Sequence, residues 1–191
     1  MASPHSEPAP LTAHPSTPSD IVHRLAVSVQ AERPGILRLD YSLEADLDRV
    51  RLPSSTRASS TWERGGRTDG LWKHTCFEAF VASDADPGYL ELNFAPSLDW
   101  ALYVFSAYRE GMRPADVGRP PEIAVHRDQN HLVLKAATHL EGLMLEATRL
   151  RLALSAVIED ENGRLSYWAL RHSSDKPDFH HPDTFALELE L

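Results

Sequence analysis

Residues 71–108 read LWKHTCFEAFVASDADPGYLELNFAPSLDWALYVFSAY, which contains three strand-like runs separated by two short turns. The middle run, Tyr89–Phe94, alternates strictly between polar and apolar side chains. This period of two is typical of a strand in an antiparallel sheet that buries only one side. Because Glu78 lies in the preceding run, we expect Glu78, Glu91 and Asn93 to gather on one polar patch.

Similar runs continue along the rest of the chain, with turn signals between them. Arg33-Pro34-Gly35, Asp128-Gln129-Asn130 and Asp160–Gly163 are such turns, and the Asn-Gly pair in the last is a strong hairpin signal. Residues 53–70 are rich in Ser, Thr, Gly and Arg and predict a long loop. Leu140–Leu150 predicts at most one short helix. About ten to eleven short strands therefore predict an all-β fold, an antiparallel β-sandwich.

The composition is that of an ordinary globular protein, with 42% hydrophobic and 25% charged residues. The net charge of −9 argues against nucleic-acid binding, which needs clustered Lys and Arg. No run is long and apolar enough to cross a membrane. Cys76 is the only cysteine, and the N-terminus has neither the basic nor the apolar region of a secretory signal. We therefore expect a cytoplasmic protein.

The first 20 residues differ in composition from the rest. They hold five of the 14 prolines and no Gly, Lys or Arg. So few apolar side chains offer little compensation for the entropy of ordering. We therefore expect a disordered Pro-rich tail over residues 1–20 and one sandwich domain over residues 21–191.

Four segments together resemble bacterial DOMON-like domain proteins, which are related in fold to carbohydrate-binding module family 9 and to DOMON domains. The segments are Trp72-x-x-Thr75-Cys76-Phe77-Glu78-x-Phe80, Gly88-Tyr89-Leu90-Glu91-x-Asn93-Phe94-x-Pro96-Ser97, Trp100-Ala101-x-Tyr103, and Tyr167-Trp168-Ala169-Leu170-x-His172 with Pro177-Asp178-Phe179-His180. The resemblance implies a β-sandwich with a ligand site on a sheet face or at its rim. In related modules aromatic side chains stack on sugar rings, and polar side chains bind the hydroxyl groups.

The candidate ligand-binding residues can each hydrogen-bond to, neutralise or stack on a small polar molecule: Glu78, Glu91, Asn93, Lys135, Arg171, His172 and Trp62. Glu and Asn would orient the ligand, and Lys and Arg would neutralise it or donate hydrogen bonds. His180 is an alternative to His172. A structural network of paired carboxylates is the competing interpretation of the same residues.

Three functions follow as hypotheses. The leading one is non-catalytic binding of a small polar ligand, for which a saccharide is the first candidate. A second is a sugar-active hydrolase or lyase that uses Glu78 and Glu91. A third is a protein-interaction module that pairs through edge strands such as the closing FALELEL.

The sequence contains no motif that identifies a cofactor or a metal site. Residues 178–183 carry Asp and His side chains that could ligate a metal, but spacing alone does not show that they converge. Met112 and Met144 lie outside any haem-attachment motif. We therefore leave the cofactor unknown.

Overall fold

The structure is a computed structural model that describes residues 7–32, 35–53, 59–63, 65–143 and 147–190, without the side chains of 59–63. Within these ranges the chain forms fourteen strands and two 3-10 turns. The strands are β1 (Ala9–Pro10), β2 (Thr12–Ala13), β3 (Val22–Glu32), β4 (Ile36–Ala45), β5 (Ser59–Glu63), β6 (Cys76–Ser83), β7 (Tyr89–Phe94), β8 (Trp100–Phe105), β9 (Arg113–Pro114), β10 (Glu122–Arg127), β11 (His131–His139), β12 (Arg149–Glu159), β13 (Leu165–Ala169) and β14 (Leu187–Glu190). The 3-10 turns span Leu71–Lys73 and Pro182–Thr184.

The strands form two antiparallel sheets. Sheet A has the order β1-β3-β4-β11-β10-β5, and sheet B has the order β2-β13-β12-β6-β7-β8-β9, with β14 also paired to β12. Eleven of the strands have four or more residues, and β1, β2 and β9 have two. The prediction of an all-β antiparallel sandwich is confirmed.

The segment Leu140–Leu150, for which at most one short helix is predicted, contains no helix in the part that the structure describes. Residues 141–143 make a turn, residues 144–146 lie outside the described residues, and Arg149 already begins β12. Across the described ranges, no helix has the length and hydrophobicity that crossing a membrane would require.

The predicted hairpin turns join neighbouring strands. The Asp128 carboxylate accepts hydrogen bonds from the backbone N–H groups of Asn130 and His131 between β10 and β11. Gly163, between β12 and β13, has a φ of 77°, a left-handed conformation that glycine adopts without steric cost. Strands β3 and β4 pair on either side of the predicted turn Arg33-Pro34-Gly35, of which Arg33 and Pro34 lie outside the described residues.

The main core lies between the two sheets. Alternate residues of β6 and β7, among them Phe77 and Leu92, face sheet A and are fully buried. From sheet A, the buried Tyr41 ring lies 5.1 Å from that of Phe77, centroid to centroid, and its hydroxyl donates to the carbonyl of Glu78 at 2.6 Å. This hydrogen bond joins the sheets directly behind Glu78.

Sheet B is buried on both faces, which the alternation of β7 did not predict. All residues of β6 and β7 are buried. The outer face of sheet B carries a second apolar cluster that includes Phe80, Tyr103 and Phe179. The expectation of one solvated face is therefore wrong, because residues distant in sequence, such as Phe179, pack over that face.

The prediction of a disordered tail over residues 1–20 is wrong for the paired residues 9–13. Strand β1 pairs with β3 in sheet A, and β2 pairs with β13 in sheet B, so the segment passes from one sheet to the other. Between them Leu11 enters the main core with 4% of its surface exposed. Pro10 is tolerated because β1 is an edge strand. Residues 1–6 lie outside the described residues.

The loop predicted over residues 53–70 contains a strand. Strand β5 (Ser59–Glu63) pairs with β10 at the edge of sheet A. Trp62 therefore lies in a strand rather than in a loop, and its side chain is outside the description. Residues 54–58 and Arg64 lie outside the described residues.

The pairing of the N-terminal segment predicts a measurable effect of Leu11 on stability. Leu11→Ala should lower the free energy of unfolding by about 2 kcal/mol or more, because it removes a buried side chain from the core. Urea denaturation of the full chain would measure the change. Glu7→Ala, an exposed position in the same segment, is the control and should change stability by less than about 0.5 kcal/mol. Equal, negligible effects of both substitutions would contradict the docked segment.

Candidate functional site

The pairing of β6 with β7 brings the acidic residues of the outer face of sheet B together. In this register Glu78 lies opposite Asn93, and Glu91 lies opposite Phe80. Glu91 also lies opposite Tyr103 of β8, and Glu78 lies opposite Ser155 of β12. The antiparallel register therefore places two carboxylates on diagonal positions of neighbouring strands.

The C-terminal segment forms one wall over this face. Phe179 is buried and packs near the rings of Phe80 and Tyr167, at 6.4 and 6.0 Å between centroids. The Thr184 hydroxyl contacts the carbonyls of Phe179 and His181, at 2.8 and 2.7 Å. These contacts hold the segment Pro177–His180 against sheet B.

A cavity of about 340 Å³ opens on the outer face of sheet B between these elements. Its floor comes from the sheet, and its walls come from the turn before β6, the β8–β9 connection and the C-terminal segment. The lining residues are Trp72, Glu78, Phe80, Glu91, Phe105, Arg109, Met112, Val157, Tyr167, Pro177, Phe179 and His180. Aromatic walls with a few convergent polar groups are typical of small-ligand sites.

Glu78 is the most unusual group in this cavity. Its surface is 2% exposed, and its Oε1 has no hydrogen-bond partner among the residues that the structure describes. Burial, and secondarily the charge of Glu91, raise the pKa of the Glu78 carboxyl well above its ordinary value. The hydroxyl of the neighbouring Ser155 likewise has no partner in the described residues. A buried carboxyl that lacks a partner is costly, because nothing replaces the hydrogen bonds it makes to water.

Glu91 is held by a hydrogen bond from Asn93. The Asn93 amide donates to Glu91 Oε1 at 2.7 Å, and the Cys76 thiol lies 3.7 Å from Asn93 Oδ1. Burial raises the pKa of Glu91, while the Asn93 hydrogen bond and Arg109 act in the opposite direction. Asn93 is therefore a positioning residue that fixes the orientation of this carboxylate.

His180 faces Glu91 from the C-terminal segment. The Tyr89 hydroxyl accepts the backbone N–H of Arg109 at 3.2 Å and lies 2.8 Å from His180 Nδ1. We assign the ring proton of neutral His180 to Nε2, because this nitrogen lies 3.8 Å from the acceptor Glu91 Oε2 and Nδ1 can then accept the Tyr89 proton. Burial, assisted by Arg109 and opposed by Asp178, lowers the pKa of His180 to about 4.

Arg109 lies at the rim of the cavity. Its guanidinium donates to Asp178 Oδ1 at 2.7 Å, and the Tyr108 hydroxyl donates to Asp178 Oδ2 at 2.5 Å. Arg109 has a φ of 56°, a left-handed conformation that costs a non-glycine residue about 1–2 kcal/mol. The ion pair with Asp178 holds this turn over the cavity mouth and joins it to the C-terminal segment.

The structure brings together three of the seven residues predicted from the sequence. Glu78 and Glu91 line the cavity, and Asn93 holds Glu91 in place. Lys135 does not join them, because it lies on sheet A, where its ammonium pairs with Asp40 at 3.3 Å. The alternation correctly indicated a polar face of that strand but could not show that it belongs to the opposite side of the sandwich.

Arg171 and His172 are not among the described residues that line the cavity. Arg171 contacts the carbonyl of Asp183 at 3.5 Å, and His172 contacts the carbonyl of Thr12 at 2.9 Å. Trp62 lies in β5 of sheet A, with its side chain outside the description. His180, considered as an alternative to His172, occupies the cavity wall instead.

The sequence prediction missed Trp72, Arg109 and Tyr167 as lining residues. Trp72 and Tyr167 belong to the segments that resemble the DOMON-like group, so that resemblance was the available signal for them. Arg109 had no such signal, because its position follows from a left-handed turn and from a carboxylate 69 residues away in sequence.

A second depression, of about 720 Å³, contains a buried carboxylate whose partners are present. Glu159 accepts hydrogen bonds from Arg51 at 3.0 Å and from His74 at 2.7 Å. Pro53, on its wall, adjoins residues 54–58, which lie outside the described residues. We therefore assign the candidate site to the first cavity, where the acidic group is unpaired.

The described residues contain no group of three or more His, Cys, Asp or Glu side chains that could hold a metal ion. The acidic and imidazole groups of residues 178–183 enter other contacts instead. Asp178 binds Arg109, and the His181 ring accepts the backbone N–H of Asp183.

Comparison with known proteins supports the fold. No protein-family model matches the chain. A solved structure of a candidate carbohydrate-binding protein from Bacteroides uniformis superposes with a TM-score of 0.66 and 15% sequence identity, covering 96% of this chain and 85% of that one. An alignment 138 positions long, which covers 69% of the chain, shows 31% identity to Protein prune homolog 2 from Mus musculus, but it spans only 4% of the length of that protein. The two chains in the structural comparison share a sandwich fold.

Replacing the buried carboxyl should stabilise the protein. Glu78→Gln should raise the free energy of unfolding by about 1–2 kcal/mol at neutral pH, because it removes an ionisable group that lacks a partner. Because the pKa of Glu78 is raised in the folded protein, its contribution to the free energy of unfolding is fully present below about pH 4.5. That contribution is lost as the pH rises above this value. The stabilisation in the variant should therefore grow with pH, as measured by urea denaturation. Glu159→Gln is the matched control and should destabilise, because Arg51 and His74 lose their partner; a destabilised Glu78→Gln would contradict the unpaired state.

The His180 ring should titrate near pH 4 in an NMR experiment on the folded protein. Between about pH 6.5 and 4 the unfolded chain takes up a proton that the folded protein does not, so the free energy of unfolding falls as the pH falls. The lower pKa of His180 in the folded protein corresponds to about 3 kcal/mol over this window. His180→Phe should remove this slope. A folded protein with His180 protonated at about pH 6 would disprove the assigned environment.

Proposed function

We propose that the chain is a non-catalytic binding module for a small polar ligand of the saccharide class, held in the cavity on the outer face of sheet B. The unpartnered Glu78 carboxyl is the observation that carries this proposal. A ligand that supplies hydrogen-bonding groups to Glu78 would recover the interaction that burial removes. A purely structural role offers no such recovery.

The lining offers partners for both kinds of group on a sugar ring, the C–H groups and the hydroxyl groups. Trp72, Tyr167 and Phe179 present aromatic surface for the C–H groups of the ring. Glu91 and the Nε2–H of His180 present an acceptor and a donor for hydroxyl groups, and Asn93 holds Glu91 in place. This combination of an apolar wall and a few fixed polar groups gives both contact area and orientation.

The fold supports the same proposal at a coarser level. The Bacteroides uniformis neighbour, itself a candidate carbohydrate-binding protein, shares the sandwich at 15% identity. Membership in the bacterial DOMON-like group belongs to this proposal and rests on the segments that carry the resemblance. We further propose a cytoplasmic location, with Cys76 as a buried free thiol.

The second candidate function is a hydrolase or lyase that uses Glu78 and Glu91. Diagonal positions on neighbouring antiparallel strands place the two side chains about 7–8 Å apart at their bases, which lets both carboxyl groups face one ligand. Burial raises both pKa values, as a general acid requires. Glu78→Gln separates the candidates, because an enzyme would keep binding and lose turnover, whereas a binding module would lose affinity.

Partner recruitment through edge strands is the third alternative. The closing strand β14 already uses one of its two edges to pair with β12 inside the chain. Its second edge is the one that strand addition would require.

The proposal is tested by titrating mono- and oligosaccharides into isotope-labelled protein and following the backbone amides by NMR. Binding should shift signals of Trp72, Glu91 and His180. Trp72→Ala should weaken binding by roughly tenfold, because one aromatic contact contributes up to about 1.5 kcal/mol. Lys135→Ala, on the opposite side of the sandwich, is the control and should leave the affinity unchanged.

Two results would overturn the proposal. One is a saccharide panel that shifts no signal at millimolar concentration. The other is a saccharide that shifts signals around Lys135 or β14 and leaves the cavity residues unchanged.

A further inference from the structure

The cavity and its rim carry more acid than base. Three carboxyl groups lie there: Glu78 and Glu91 on the floor, and Asp178 at the rim beside Arg109. Arg109 is the only Lys or Arg among the described lining residues, and its charge is already matched by Asp178 at 2.7 Å. Arg109 also acts on Glu91, whose pKa it lowers, so Glu78 is the floor carboxyl that no cationic side chain of the described residues reaches.

No cation among the described residues compensates Glu78 on any side. The titratable and charged groups that act on the carboxyl or share its surroundings are Glu91 on β7, Tyr167 on β13, Tyr41 on β4, Cys76 on its own strand, His180 on the C-terminal segment and Arg109 at the rim. Glu91 repels a charge on Glu78, and His180 is neutral because its pKa is about 4. The missing partner of Glu78 is a positive charge with hydrogen-bond donors.

The walls are suited to such a charge. Trp72, Phe80, Phe105, Tyr167 and Phe179 all line the cavity, and the faces of aromatic rings attract cations. Neutral sugars use the same rings only through their C–H groups. The combination of unpaired carboxyls and aromatic rings therefore favours a cation over a neutral molecule of equal size.

We propose that the cavity selects a saccharide that carries a protonated primary amine, with the ammonium group bound by the Glu78 carboxyl group where it lines the cavity and its charge shared with Glu91. This inference rests on the proposed function, because it uses the same cavity and the same ring contacts. A primary ammonium fits better than a quaternary one, since it brings N–H donors to a carboxyl group that has no cationic partner among the described residues.

Binding of an ammonium group should release a proton from the protein. The pKa of Glu78 is raised in the free protein because burial disfavours its charge. A bound cation favours the charged carboxylate and lowers that pKa again. While the ligand amine remains protonated, its affinity should therefore rise with pH through the range in which Glu78 loses its proton in the free protein, and a neutral sugar should show no such rise.

The experiment compares three probes by isothermal titration calorimetry with the full chain: glucose, glucosamine and n-butylammonium. Two buffers that contain no primary amine and have different ionisation enthalpies report the proton release. We expect glucosamine to bind at least tenfold more tightly than glucose, with proton release, at neutral pH. Glu78→Gln should abolish both the preference and the release, whereas Glu159→Gln should leave both unchanged.

The outcomes separate this inference from the proposed function. Equal affinities for glucose and glucosamine would overturn the inference and support the saccharide site. Binding of n-butylammonium to the cavity, with neither sugar bound, would overturn the saccharide assignment and support the cationic subsite. A glucosamine preference that survives Glu78→Gln would overturn the role given to Glu78.

Discussion

The antiparallel register between β6 and β7 is the constraint on which the rest of the molecule depends. Its period of two sends Phe77 and Leu92 into the main core and Glu78 and Glu91 to the opposite face. A slip of one residue would exchange these sets and place carboxylates between the sheets. The main core therefore fixes the register, and the register assembles the acidic floor of the cavity.

The part of sheet B that forms the cavity floor is packed against other elements on both of its faces. Behind it, the Tyr41 hydroxyl binds the carbonyl of Glu78 and attaches the strand to sheet A. In front of it, the segment around Phe179 covers the sheet and is joined to the β8–β9 turn by the Arg109–Asp178 ion pair. Packed elements thus surround the Glu78 carboxyl, which receives no stabilising partner from the described residues. A side chain held in this way by its supporting elements is preorganised for a ligand.

Local patterns were sufficient for the sandwich and for the grouping of Glu78, Glu91 and Asn93, because alternation and turn chemistry act over a few residues. They failed wherever distant parts of the chain meet. Alternation shows that Lys135 lies on a polar face but not on which sheet or side. The high proline content predicted disorder for the first 20 residues, but the burial of Leu11 and the pairing of β1 at a sheet edge order this segment. The positions of Arg109 and His180 depend on loop paths that tertiary packing determines.

Glu159 and Glu78 are both buried carboxyls of sheet B, and they differ in whether the chain supplies a partner. Glu159 is as buried as Glu78, yet Arg51 and His74 both bind it, so its burial is compensated within the chain. The same fold can therefore supply cations to a buried acid. Glu78 receives none among the described residues and faces an open cavity instead of a packed core. A glutamine would fit the same space without the penalty of ionisation, so a gain in stability is given up at this position. Because the described contacts offer no return for that loss, we propose that the return comes from a ligand that enters the cavity.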